Sequence, residues 1–206
     1  MPGRKAERKR LFNQMTRTAI QEAVENLVTR TGIRRVTMDQ VAAEAGVSKG
    51  CLYLHFRSKK ELLESVKEAN FKLLADQLQG ILNGPLAPGR KIESFVHRMF
   101  GYFDEHRGLF RFLLEEREIA QSQVTRHKDS RYRSFVERIA GVLDDGVAAG
   151  FFRNFKSKKV ASMFIEAMIA MSARRLLDED PGPVEEDTRL LIEVFLRGIA
   201  LRPEPH

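Results

Sequence analysis

The chain has 206 residues, 43% of them hydrophobic and 31% charged, with a formal net charge of +7. That is enough apolar material for one large domain, or for a small one joined to a larger body. A single cysteine, Cys51, excludes an internal disulfide and any CxxC zinc or thiol-exchange pair, and the longest apolar runs fall short of the roughly 20 residues that a membrane span requires.

The basic excess is confined to the first third. Residues 1–60 hold 13 Lys and Arg against 5 Asp and Glu, whereas the remainder holds 22 against 23. Positive charge restricted to one module is the electrostatic footprint of phosphate binding, although short basic tails also serve solubility alone. The opening MPGRKAERKR has the charge of a secretory signal without an apolar core behind it, so a reducing cytoplasm is the expected compartment. Residues 1–12, with Arg4, Lys5, Arg8, Lys9 and Arg10, read as a basic arm. It would either keep the chain soluble or lie along phosphates or in a minor groove.

Apolar residues then recur at helical spacing almost throughout. Over 15–30, Ala19, Ile20, Ala23, Val24, Leu27 and Val28 form one stripe, and Gly32 ends the helix. Thr37 is placed to cap a short helix carrying Met38, Val41, Ala42 and Ala45, which Gly46 stops; Ser48 then caps a third helix, 49–56. After a break at Arg57-Ser58, a longer helix of about 59–83 begins with Ser58 and Glu61 spaced as a capping box. The connector NGPLAPG follows. Further helices are predicted near 89–105, 107–122, 128–149, 157–178 and 184–201. The breaks between them fall at Gly108, QSQVTRHKDS, GFFRNFKS and Pro181-Gly182-Pro183. No alternating pattern of useful length competes, and the predicted class is all-α.

The stretch 37–63, TMDQVAAEAGVSKGCLYLHFRSKKELL, concentrates the functional signal. Two short helices joined by a tight turn with a glycine are what a helix-turn-helix requires. Leu52 and Phe56, four apart, would anchor the second of them inward, leaving Lys49 and Tyr53 on another edge with Gly50 and Leu54 beside them. A major groove is wide enough to admit such an edge. Gly50 costs a helix about 1 kcal/mol relative to alanine, a cost that close approach to nucleic acid would explain. Thr37 and Ser48 can equally be helix caps and nothing more, His55 a surface histidine, and Cys51 simply a small residue.

This stretch resembles the DNA-binding segment of the tetracycline-repressor (TetR) family. The resemblance covers 27 contiguous residues and rests on Thr37, Val41, Ala42, Ala45-Gly46-Val47-Ser48, Gly50, Leu52-Tyr53, His55-Phe56, Ser58-Lys59 and Leu62. Cys51 departs from it, standing where the family more often has Thr, Ser or Ala. The resemblance implies a helix-turn-helix domain over 1–60 and a helical effector-binding and dimerisation domain over 61–206. It places Thr37, Ser48, Tyr53, His55 and Lys59 against the DNA backbone, and Lys49, Gly50 and Leu54 nearest the base edges, with Cys51 on the same helix. The implied partner is a double-stranded, palindromic operator, bound by a homodimer that pairs through the last two helices, about 157–178 and 184–201. A small-molecule effector would release a repressor of this kind.

The body is rich in phenylalanine, most of it expected to be ordinary core, and a bundle so built can also enclose an apolar cavity. Phe100, Tyr102, Phe103, Phe112, Phe135, Phe164 and Met168 are candidate contacts for a small, largely apolar ligand, with His97, Arg98, Glu115 and Arg117 as further polar candidates. Val160, Met163, Phe164, Ala167, Met168 and Met171 form one apolar stripe, and Leu190, Leu191, Val194, Phe195, Gly198 and Ile199 another. Either can serve core or interface. There is no P-loop, GxGxxG, HExxH or GxSxG, and the five histidines lack metal-ligand spacing, so neither cofactor, metal nor catalysis is expected. A helical adaptor binding only protein would explain the body but not 37–63. An enzyme using Cys51 would need a base beside a residue that the motif puts on the reading helix.

Overall fold

The computed structural model describes residues 3–115 and 130–200. Among the described residues there are helices and no strand; Phe152 and Ala200 form an isolated antiparallel bridge. The all-α expectation is met. The residues fall into two compact units, Met1–Leu73 and Leu74–His206.

The first unit begins with α1 (Gly3–Thr31), which buries Ile20, Ala23, Val24, Leu27 and Val28, the stripe that the sequence predicts, and leaves Ala19 half-buried. The helix starts twelve residues before the predicted one. The basic segment expected as an arm is therefore helical from Gly3 onward, because nothing between Gly3 and Met15 breaks a helix and its Lys, Arg, Glu and Ala residues favour one. A 3-10 turn at Ile33–Arg35 leads to α2 (Met38–Glu44) and α3 (Lys49–His55). Gly46 joins these two at φ 66°, while its amide donates to Ala43 O and that of Val47 to Ala42 O, at 3.2 and 2.9 Å. This 5→2 and 6→1 pair is the glycine-dependent helix stop known as the Schellman motif.

Helix α4 (Lys59–Asn83) runs from the first unit into the second. Its first half buries Leu62 and Val66 and is bonded to α1. Ser65 Oγ accepts from Gln21 Nε2 at 2.8 Å and from Arg17 Nη2 at 3.0 Å, and Asn70 Nδ2 donates to Glu25 Oε1 at 2.6 Å. These bonds explain why the first unit extends to Leu73, past the residue 60 that the sequence suggested.

In the second unit α5 (Pro88–Glu105) opens with proline in its first turn, where a missing N–H costs nothing. It packs against α7 (Ser130–Ala148), α8 (Ser157–Leu177) and α9 (Val184–Ile199), and α6 (Arg107–Glu115) packs on α8. Residues 116–129 of the predicted 107–122 and 128–149 helices lie outside the described residues. The core is aromatic: Phe95 meets Phe135 edge-on at 6.0 Å, Phe103 meets Phe110 edge-on at 4.5 Å, and Phe164 lies 4.2 Å from Phe195. Such pairs add about 0.5–1.5 kcal/mol each beyond the area they bury.

One buried cation ties the ends of these helices together. Arg175 near the end of α8 has a side chain only 6% exposed. Its guanidinium donates to Asp187 Oδ2 (2.8 Å) and Asp104 Oδ1 (3.3 Å), and to the carbonyls of Pro181 and Gly182, both at 3.1 Å. Burial alone weakens its hold on the proton, but the two carboxylates together more than reverse this and leave its pKa raised. The Pro181-Gly182-Pro183 turn is thus fixed by side-chain bonds as well as by composition.

Two substitutions test this packing. A Cβ at Gly146 would lie 2.2 Å from Cδ2 of the buried Phe152. Gly146→Ala is expected to destabilise the protein by about 1–3 kcal/mol through overpacking, read as a lower midpoint of urea unfolding; an unchanged midpoint would mean that the ring turns aside freely. Arg175→Met strands the mostly buried Asp187, leaving Arg174, at 3.5 Å, as its one cationic partner among the described residues. The expected loss is toward the lower end of the range of about 3–5 kcal/mol for breaking a buried pair, and a thermal midpoint as high as that of the parent would contradict it.

Candidate nucleic-acid interface

Helix α3 has only seven residues, so its orientation depends on few anchors. Leu52 and Phe56 are both fully buried, and the guanidinium of Arg17 lies over the Phe56 ring at 4.7 Å. With that face held down, the opposite one is open: Tyr53 is 44% and Leu54 88% exposed, and Lys49 and Gly50 are exposed as well. Cys51 and His55 are half-buried at its margins, with the imidazole 6.4 Å from the Phe56 ring. A Cβ added at Gly50 would meet only Ser48 Oγ, at 4.0 Å, so the chain's own packing does not demand glycine there.

The two hydroxyls expected near phosphate are helix caps. Ser48 Oγ accepts from the Cys51 amide at 3.1 Å. Thr37 Oγ1 accepts from the Gln40 amide at 3.3 Å, while Gln40 Oε1 accepts from the Thr37 amide at 2.9 Å, a complete capping box that the T-x-x-Q spacing makes legible. The predicted box at Ser58 and Glu61 is half formed. Ser58 Oγ accepts from the Glu61 amide, but the Glu61 carboxylate reaches the amide of Arg57 instead of that of Ser58.

The two lysines of the predicted set are both engaged within the unit. Lys59 Nζ donates to the carbonyls of Ile33 and Arg34, at 3.1 and 3.4 Å, and so closes the 3-10 turn onto the start of α4. Lys49 Nζ lies 2.7 Å from Asp39 Oδ1, at the start of α2. Its hydrogen bond and its charge attraction to Asp39 raise its pKa above the usual lysine value. Asp39 does not figure in the sequence reading, because a pairing ten residues apart across a turn follows no helical spacing.

In the second unit the candidate ligand contacts divide. Phe100, Tyr102, Phe164 and Met168 are buried core, and Phe103 and Phe135 are half-buried against Phe110 and Phe95. The side chains of Phe112 and Glu115, and the whole of Arg117, lie outside the described residues. His97 is exposed; Arg98 bonds to Gln77 and Glu105 and lies over the Tyr102 ring. A cavity of about 10 Å³, room for one water, is lined by Phe100, Phe103, Asp104, Ser172, Arg175 and Leu176. Ser172 Oγ is buried there without a hydrogen-bond partner among the described residues. Of this lining the sequence signals only the two phenylalanines, since Ser172, Arg175 and Leu176 follow the end of the apolar stripe on α8 at Met171 and Asp104 lies on a different helix, α5.

Comparison with known proteins gives a consistent result. Residues 20–66, which contain α2 and α3, match the family described as bacterial regulatory proteins, tetR family. The chain is 26% identical over 156 residues to YhgD of Bacillus subtilis, an HTH-type transcriptional regulator, covering 74% of this chain and 80% of that one. It is also 26% identical over 175 residues to the HTH-type transcriptional repressor KstR2 of Mycolicibacterium smegmatis, covering 82% of each. Its fold is shared with Thermus thermophilus FadR, a TetR family transcriptional repressor solved in complex with lauroyl-CoA: TM-score 0.60, 16% identity, 92% of this chain and 98% of that one. With the anchored helix pair, its open edge and the matched segment in agreement, residues 20–66 form a helix-turn-helix segment of the TetR type, and the chain is a DNA-binding transcription regulator.

Proposed function

We propose that the protein is a homodimeric repressor that holds a palindromic operator through α3 and is released by a small, largely apolar effector. The observation that carries this reading is the open edge of α3, where Lys49, Gly50, Tyr53 and Leu54 stand out while Leu52 and Phe56 hold the helix down. In a groove, Lys49 would face guanine acceptors and Leu54 a thymine methyl. Tyr53, His55 and the capped starts of α2 and α3 at Thr37 and Ser48 would face phosphates, and Cys51 would lie beside them. Gly50 would let the helix approach closely. Lys59 is the weakest member of this set, since its ammonium already serves two carbonyls.

In this reading residues 1–60 form the reading head and 61–206 the sensing and pairing body, with the first half of α4 belonging to the compact unit of the head. Pairing is supported by what α8 and α9 leave uncovered. The predicted α8 stripe divides into Phe164 and Met168, which face inward, and Met163, which is exposed; on α9, Leu190 and Val194 are exposed while Leu191 is buried. A Cβ added at Gly198 would meet nothing within 4 Å among the described residues, leaving room for a second backbone. Two-fold pairing would present two reading helices to half-sites about 34 Å apart.

Sensing is supported by the aromatic core and by the small cavity beside Phe100 and Phe103, and by the lauroyl-CoA bound to FadR, which shares the fold. A ligand held better by the DNA-free form would draw the population away from the operator. The cavity of about 10 Å³ would have to open by movement of these rings before an effector could enter.

A mobility-shift assay on DNA from the gene's own upstream region, against a scrambled duplex, tests the reading. Selective, salt-sensitive binding is expected, with Lys49→Ala and Tyr53→Ala each weakening it about tenfold or more. Equal affinity for the two duplexes would refute sequence reading. Sedimentation of Val194→Asp tests pairing: the variant is expected to run as a monomer with poor operator affinity, and a surviving dimer would move the interface elsewhere.

A further inference from the structure

Asp39 lies on the outer surface of the unit that carries the reading helix. It is one of only 5 acids among residues 1–60, which hold 13 Lys and Arg. Its two carboxylate oxygens lie 2.7 and 3.0 Å from Lys49 Nζ, at the first residue of α3. The side chains are 66% and 61% exposed, so burial does not force them together, and ion pairs this exposed contribute little to folding. The pairing does, however, act on what Lys49 presents to DNA. It cancels a charge where phosphates would be drawn in, and it confines a flexible four-carbon chain to one direction.

We propose that Asp39 is a positioning residue that sets sequence selectivity through Lys49. By holding the ammonium, it withholds that charge from the phosphates of arbitrary DNA. An ammonium has three donors, and the carboxylate leaves capacity for an acceptor at a base edge; guanine, with O6 and N7 side by side in the major groove, fits best. Indiscriminate affinity is thereby reduced and discrimination gained. The proposal rests on α3 being the helix that enters the groove.

The test uses the full-length chain and two probes: duplexes enriched from a random-sequence library by the parent protein, and the unselected library itself. Asp39→Asn is expected to bind unselected DNA several-fold more tightly. Its salt dependence should steepen by about 0.9 per head for each phosphate that Lys49 newly neutralises. Affinity for the enriched duplexes should rise less or fall, so the ratio between the two probes shrinks severalfold. Asp39→Glu, which keeps the charge, should retain most of the ratio, and in a Lys49→Met background Asp39→Asn should no longer change it. Unfolding midpoints identify any variant that loses its fold, and Asp39→Glu then carries the comparison.

An unchanged ratio and salt slope in Asp39→Asn, with enrichment by the parent intact, overturns the proposal while leaving DNA reading in place. A ratio that shrinks equally in the Lys49→Met background also overturns it, because Asp39 would then act on DNA directly. If the parent enriches no sequence at all, the DNA-reading function fails and the proposal falls with it.

Discussion

Burial of Leu52 and Phe56 is the constraint on which the candidate interface depends. A seven-residue helix makes two turns and cannot be stable alone, so its existence and its rotation are both set by what holds it down. Two side chains four apart define one face, and fixing that face determines which residues point away. The Gly46 stop fixes the entry to α3, and the Arg17 guanidinium over Phe56 seals its exit. Lys49, Gly50, Tyr53 and Leu54 are consequently available without any of them contributing to the anchoring.

Charge in the same unit is arranged less simply than its sum. The N-terminal third is basic, yet Lys59 is spent on closing a turn, Arg30 faces Glu44 at 2.7 Å and Lys49 faces Asp39. A general attraction to phosphate therefore depends on the cations left over, among them the exposed Arg4, Arg8, Lys9 and Arg10 on the first turns of α1. Placing them on a helix gives them a fixed spacing that an unstructured arm would lack, and lowers the entropy lost when they meet a surface.

The body joins two kinds of cohesion. Its interior rests on aromatic contacts, which tolerate shifts of a ring but not the loss of one. The turn between α8 and α9 is held in addition by one guanidinium serving four acceptors. A buried charge of this sort is stable only while its partners stay, so α5, α8 and the Pro181-Gly182-Pro183 turn are coupled through it. The cavity beside Arg175, with the Ser172 hydroxyl unmatched, sits where that coupling meets the aromatic core.

Local rules in the sequence determined the helical class, the caps at Thr37 and Ser48, the stop at Gly46 and the inward face of α1, since each depends on residues within a turn or two of one another. The same periodicity identified the stripes on α8 and α9 but could not say which of their residues face inward, because an apolar row looks alike from either side. Only tertiary contacts decided that Phe164 is buried and Met163 exposed, that Lys59 bonds to carbonyls some twenty-five residues earlier, and that Asp39 meets Lys49 across the turn. They also joined the first half of α4 to α1. These outcomes depend on distances between elements, which a single strand of residues does not contain until it has folded.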